Sequence, residues 1–239
     1  DIVRLAAANA GEGVDDANYD MEFLDVAKKK LTEVHDFIKE NYNKGRGTKL
    51  TIDNWFEGKI NESIKNATES MENMLFKSAI QHSLMEMQRN LKWYLKRTNN
   101  NPNKELVNLF IDSIIRMLAP FTPHFSEECW HMTGKKGFVS AERWPAANTK
   151  AIDESLDYSE DIIRGTLEDI REILKLAKIE KPKTIKLIIS ASWKYSLFEK
   201  AGKLIDSKNP NEALKEIMKD EAFRKHGKDI QKFLPKMIA

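Results

Sequence analysis

Five histidines, one cysteine and a short run of cations broken by glycines are the residues from which chemistry would come. Of the histidines His35, His82, His124, His131 and His226, only His131 has carboxylates at helical spacing, Glu127 four and Glu128 three residues before it. Glu-x-x-His on a helix is half of a di-iron bundle site, which needs the motif twice and two further glutamates. It occurs once, so Glu127 or Glu128 is expected to pair with a cation or to cap backbone. Cys129 has no second cysteine to bridge to and falls among apolar residues. It reads as core filler rather than nucleophile, in a reducing cytoplasm. Lys44-Gly45-Arg46-Gly47-Thr48-Lys49 is a flexible basic loop suited to phosphate, but its spacing is not that of a Walker A loop. No Gly-x-Ser-x-Gly, His-Glu-x-x-His or glycine-rich dinucleotide turn occurs. The chain alone is expected to catalyse nothing and to hold no metal or cofactor.

What remains is binding, and the charge layout bears on it. The 39 basic residues nearly balance the 37 acidic ones over 239 residues. They are unevenly placed: residues 179–239 hold 14 Lys and Arg against 8 Asp and Glu, behind an acidic stretch at 151–178. A basic terminal third suits a polyanionic partner, because clustered cations gain by releasing phosphate counterions. With 41% hydrophobic residues the chain can bury a substantial core. No apolar run approaches the ~18–20 residues that cross a bilayer, and no leader pattern is seen. Asp1 to Leu5 reads as mid-helix without an initiator Met, so a fragment of a longer protein is expected.

The elements that would position these residues are helices. Asp20 caps a helix with Phe23, Val26, Ala27, Leu31, Val34 and Ile38 on one stripe, ending near Asn41. Trp55, Phe56, Ile60, Ile64, Ala67 and Met71 make a second stripe, which breaks near Asn73. A third helix carries Leu75, Ala79, Leu84, Met87, Leu91, Tyr94 and Leu95. Asn101 as cap and Pro102 at the first position open the next, whose wide apolar face from Val107 to Leu118 belongs at the centre of a bundle. Pro120 pushes Ala119 out of αR and stops that helix; Thr122 caps another with Pro123 at its first position, and Gly134 ends it in the left-handed region. A linking helix follows from Leu156 to Lys178, with Ile162, Ile163, Leu167, Ile170, Leu174 and Ala177 buried and Pro182 beyond it. Thr184 to Ser190 is short and β-branched, the one predicted strand, with partners expected beyond Ala239. Helices are expected at Lys194–Asp206, from Pro210 behind an Asn209 cap to Lys219, and from Glu221 to Gly227, with last turns to Phe233 and Pro235. The fold class is therefore mainly α: an antiparallel helical bundle over 1–150, then over 151–239 a linking helix and a small, truncated α+β segment.

Residues 118–145 carry a pattern of their own. The Pro-Phe-x-Pro-His corner, the Ser-Glu-Glu-x-Trp helix, a glycine loop and Trp144-Pro145 resemble, in order, the tRNA-binding helical domain of class I aminoacyl-tRNA synthetases for leucine, isoleucine and valine. Asn54-Trp55-Phe56 with Lys59-Ile60-Asn61 resembles the Arg-Trp-x-x-Ser-Arg-Leu helix entry of the same enzymes, with Gly58 for the usual Ser and Lys59 for the usual Arg. Asn90 to Arg97, Trp193-Lys194-Tyr195 and Arg224-Lys225-His226-Gly227-Lys228 resemble the leucyl enzymes of the archaeal and eukaryotic type. Isoleucyl and valyl enzymes match these later segments less well.

The resemblance implies a parent that joins leucine to its tRNA with ATP and Mg²⁺ on a Rossmann catalytic domain. Neither signature motif of that domain occurs here, and Asp1 to Leu5 resembles the helix after the second one. The fragment would then begin just downstream of catalysis and touch the catalytic domain intramolecularly. It also implies that the bundle holds the tRNA body and that the C-terminal part meets the long variable arm of a leucine-type tRNA. Candidate contacts are Arg46, Lys49, Lys59, Lys92, Lys96, Arg97, Lys194, Lys225 and Lys228, with Trp193 as an exposed aromatic, whereas Trp55, Trp93 and Trp130 read as core. Two other classes fit less: a helical interaction scaffold, for which no 34- or 40-residue repeat is found, and a stand-alone nucleic-acid-binding module.

Overall fold

The computed structural model describes residues 1–13, 20–203 and 210–238. The expected helix end at Asp206 and the expected Asn209 cap lie outside the described residues. The chain forms two compact units, Asp1–Ile170 and Arg171–Ala239. The sequence division at 150/151 lies just ahead of the linking helix.

In the first unit α1 (Ile2–Asn9), α2 (Met21–Asn41), α3 (Thr51–Glu72), α4 (Phe76–Ile80), α5 (Met87–Arg97), α6 (Lys104–Leu118) and α7 (Pro123–Met132) build the bundle, and α8 (Glu154–Leu176) follows. Turns of a few residues join α3 to α4 and α6 to α7, and each of these two pairs packs together. A π-helical stretch, Gln81–Glu86, joins α4 to α5. α3 packs against α4, α5, α6 and the turn at 149–151. α6 is the most enclosed helix, with Val107, Phe110, Ile111, Ile114, Ile115, Met117 and Leu118 all fully buried. Phe56 of α3 stacks on Tyr94 at 4.1 Å between centroids and on Phe110 at 5.9 Å. These aromatic pairs tie three helices at the core's centre, each adding about 0.5–1.5 kcal/mol beyond burial.

Local signals decide several boundaries as expected. Asp20 accepts the Glu22 N–H at 2.9 Å, Pro123 opens α7, and Gly134 has φ +73°. Other boundaries differ. α6 is capped by Asn103, whose side chain accepts from Glu105 and Leu106 N–H, and not by Asn101. Ala119 remains in αR, and the chain leaves the helix through Phe121 and Thr122, both donating to the Leu118 carbonyl. Thr122 sits at the cap position of α7 but turns its hydroxyl back to Leu118 O; the Asp1 carboxylate takes the Phe125 N–H at 2.6 Å. Val26, placed on the α2 stripe, is exposed.

The second unit holds α9 (Ser192–Lys203), α10 (Pro210–Ile217), α11 (Glu221–Arg224) and α12 (Gly227–Ile238). Its core is Leu197, Ala201, Ile217, Phe223 and Ile230. The mainly helical class holds, but the strand does not. Among the described residues no strand is present; residues 184–191 have no regular structure, and Ile188 and Ile189 are 88% and 81% exposed. β-branched residues favour extended backbone, but a strand needs a second edge for its N–H and C=O groups, and no described segment supplies one. The stripe expected to be buried on the linking helix is not: Ile163, Leu167, Ile170 and Leu174 are half-buried, and Ile162 and Ala177, the latter just past the end of α8, are exposed. No helix among the described residues is long and apolar enough to cross a membrane.

Candidate nucleic-acid interface

The basic loop at 44–49 is not free. Arg46 donates its backbone N–H to Pro102 O and accepts from Lys104 N, at 2.9 and 3.0 Å, forming an isolated parallel bridge to the α5–α6 turn. Its guanidinium lies against both oxygens of Asp53, the third residue of α3, and donates to Asn101 O at 2.9 Å. The Asp53 carboxylate, fully buried, also accepts from Tyr94 Oη and Leu50 N, both at 2.6 Å. The Tyr94 hydroxyl in turn accepts the Asn103 N–H at 2.8 Å. Burial pulls the Asp53 carboxyl upward, but the Arg46, Tyr94 and Leu50 bonds outweigh it and hold it below the usual carboxylate range. Arg46 is therefore a clamp between two loops, its side chain 11% exposed. Gly45 permits the approach: its φ is +125° and a Cβ there would stand 2.5 Å from Pro102 O. Gly45→Ala is expected to lose about 2 kcal/mol or more, read as a lower midpoint in urea unfolding.

Two further candidates hold α8 instead. Lys59 donates to Glu62 and to Asp157 of α8, both at 2.7 Å. Burial lowers its pKa, but the two carboxylates outweigh that and raise it. Arg97 grips Glu160 with two bonds at 2.9 and 3.1 Å, and Trp93 Nε1 donates to the same carboxylate at 2.9 Å. Arg164 and Lys96 lie over the Trp93 ring, 4.8 and 5.3 Å from its centroid. Lys59 and Arg97 thus fasten the first half of α8 to α3 and α5, each through two hydrogen bonds. Gly58 lets α3 pass the 149–151 turn, since a Cβ there would stand 2.9 Å from Ala151 O.

A row of cations facing solvent lies along α5. Arg89, Lys92 and Lys96 recur at three and four residues and are exposed, which places them on one stripe. Lys30 of α2 is near enough to Lys92 that burial first, and Lys92 second, lower its pKa. Lys92 also donates to Glu33 at 2.9 Å. The sequence pattern points to Lys92 and Lys96 but passes over Arg89 and Lys30; the three-and-four spacing on α5 is the signal that marks Arg89. Lys49, with its side chain 61% exposed, makes only a 3.2 Å contact with Glu57.

In the second unit Trp193 is half-buried, stacked on His226 at 4.2 Å and 5°. It is less open than expected. Lys194 lies over Phe233 at 4.9 Å and over Trp193 at 5.8 Å. Tyr195 and Phe198, 60% and 69% accessible, and Phe233 at 44% are exposed aromatics beside an apolar cleft that Leu197 also lines. Lys225 and Lys228 are exposed. Aromatic faces between cations are what unpaired bases stack on.

Glu127 and Cys129 serve the packing of the bundle. Glu127 accepts Val139 and Ser140 N–H at 2.9 and 3.1 Å, capping the turn at 139–141. Burial raises its pKa, and those two bonds more than reverse the shift. Burial pushes the Cys129 thiol up to about 12, so it stays protonated and packs as a hydrophobe.

A helical bundle with a capped α6–α7 corner, a locked basic loop and a cationic α5 stripe defines the class. Residues 53–189 match the family described as the anticodon-binding domain of tRNA ligase, and the chain belongs to that family. Among similar proteins are leucine–tRNA ligases of Methanocaldococcus jannaschii, 33% identical over all of this chain, Aeropyrum pernix, 33% identical over 93% of it, and Pyrococcus abyssi, 31% identical over all of it. The chain spans 25%, 23% and 25% of those relatives, about a quarter of their length. A ternary complex of the Agrobacterium radiobacter K84 agnB2 LeuRS with tRNA and LeuAMS shares the fold, with TM-score 0.50 and 22% identity over 64% of this chain and 20% of that one.

Proposed function

We propose that this chain is the tRNA-holding part of a cytoplasmic leucine–tRNA ligase, positioning a leucine-type tRNA while ATP- and Mg²⁺-dependent chemistry takes place on a separate catalytic domain. The observation that carries this is the similarity to archaeal leucine–tRNA ligases along the whole chain. The mechanism is positional. Cations hold phosphates and fix the orientation of the RNA, so its 3′ end reaches a remote site. In this reading Lys92 and Lys96, joined by Arg89 and Lys30, meet the tRNA body together with Lys49. Lys194, Lys225 and Lys228, with the Tyr195 and Phe198 faces and Trp193 behind them, meet the variable arm. Arg46, Lys59 and Arg97 act indirectly, by holding the loop and α8 in place. Met74, Leu75 and Phe76, apolar yet exposed beside Glu12, suit an intramolecular contact with the catalytic domain.

Gel-shift titration against a long-armed leucine tRNA and a short-armed tRNA, over a salt series, tests the reading. The long-armed tRNA is expected to bind more tightly. Arg89→Ala, Lys92→Ala and Lys96→Ala together are expected to weaken binding by ~10-fold or more and to lower the salt slope by up to ~3, about one for each phosphate no longer neutralised. Equal binding of the two RNAs removes the variable-arm role, and an unchanged slope removes the α5 stripe.

A further inference from the structure

We propose that the groove between α2 and α5 is a docking site for a basic amphipathic helix of another protein. The groove, about 360 Å³, has an apolar floor of Phe37, Leu91 and Leu95. One wall carries Glu33, Asp36 and Glu40, spaced three and four residues apart on α2 and so aligned along its length. Lys92 answers Glu33 at one end, at 2.9 Å. Asp36 meets only His35, at 3.2 Å. Glu40 makes no ion pair among the described residues, which leaves the wall net negative. One buried acceptor beside the groove is unpaired. Gln88, 3% exposed and lining the groove, donates Nε2 to Lys30 O at 2.7 Å, yet its buried Oε1 has no partner. A buried amide oxygen normally finds a donor.

The sign of this wall chooses the occupant. Phosphates are repelled by three carboxylates, so RNA on the neighbouring α5 stripe does not fill it. A helix laid between two helices offers apolar residues to the floor at three- and four-residue spacing and Lys or Arg to the wall. Two turns of it, ~10 Å, run the length from Glu33 to Glu40.

Fluorescence anisotropy with the full chain tests this. The probe is a labelled 16-residue helical peptide with Leu at positions i, i+4 and i+7 and Lys along one flank; a second peptide has Glu in place of every Lys. The Lys peptide is expected to bind and the Glu peptide to bind at least ~10-fold more weakly, with Asp36→Lys plus Glu40→Lys reversing the preference. Glu40→Gln alone, an exposed neutral change, is expected to weaken the Lys peptide in the same direction and serves if the double variant does not fold. Equal binding of both peptides, or none, overturns the proposal. Concentration-dependent self-association of the chain that Glu40→Lys abolishes also overturns it, by making the occupant a second copy. tRNA gel shifts of Glu40→Gln are expected to be unchanged, so this inference and the tRNA reading fail separately.

Discussion

Asp53→Asn is expected to destabilise the first unit by about 3–5 kcal/mol, the range for breaking one side of a buried ion pair. The size follows from what is left behind. Asp53 is fully buried and the Arg46 side chain is 11% exposed, so an amide leaves a guanidinium charge in low dielectric without its counter-ion. It also presents an NH₂ to donors that need acceptors: Tyr94 Oη and Leu50 N both point at this carboxylate. Tyr94→Phe is the milder version, since the hydroxyl is lost while the Phe56 stack stays, and ~1–3 kcal/mol is expected. Urea unfolding followed by tryptophan fluorescence gives both values, because Trp55 is buried in α3, one turn or less from Asp53. A loss below ~1 kcal/mol for Asp53→Asn would mean the clamp does not hold the loops.

The same site sets a pH dependence whose sign follows from the depressed Asp53 pKa. The unfolded chain takes up this proton at a higher pH than the folded one. The stabilisation is therefore complete above the ordinary aspartate value, ~3.9, and is lost as pH falls through the lower folded value. Asp53→Asn has no such proton to take up, so its stability is expected to fall less steeply than that of the parent chain in this acid range.

Legibility in the sequence tracks how far away the deciding partner lies. The Asp20 cap, the Pro123 start and the left-handed Gly134 depend on neighbours a few residues away, and each is readable. Asn101 and Asn103 are both good caps by type; the choice falls to Asn103 because Pro102 O is taken by the Arg46 N–H across the bundle. Arg46 in a glycine-rich loop reads as solvated until Asp53 and Tyr94 are seen to converge on it. Lys59 and Arg97 read as free cations because Asp157 and Glu160, 98 and 63 residues on in sequence, come from a helix that folds back on them. For residues 184–190 the composition favours an extended chain, but pairing is a property of two segments and cannot be read from one. Trp193 loses its expected exposure to His226, a residue whose approach no local pattern announces.

Glu160→Ala is expected to loosen the first half of α8 from the bundle by ~2–3 kcal/mol, on the scale of hydrogen bonds to a charged group. The carboxylate is 9% exposed and takes three donors, two from Arg97 and one from Trp93. Lys59 still holds Asp157, so the helix stays formed but opens more often. Hydrogen exchange over 156–164 is expected to quicken by ~30–100-fold, while Glu168→Ala, on the exposed side of α8, stays within ~0.5 kcal/mol of the parent chain. Arg97→Ala then separates a fastening from a phosphate contact. If Arg97 acts through α8, the variant shows the same faster exchange as Glu160→Ala and leaves the salt slope of tRNA binding where it was. If Arg97 meets a phosphate, the slope falls by about one. The bidentate grip on Glu160 favours the first outcome, because the guanidinium would have to give up a carboxylate only 9% exposed to meet a phosphate.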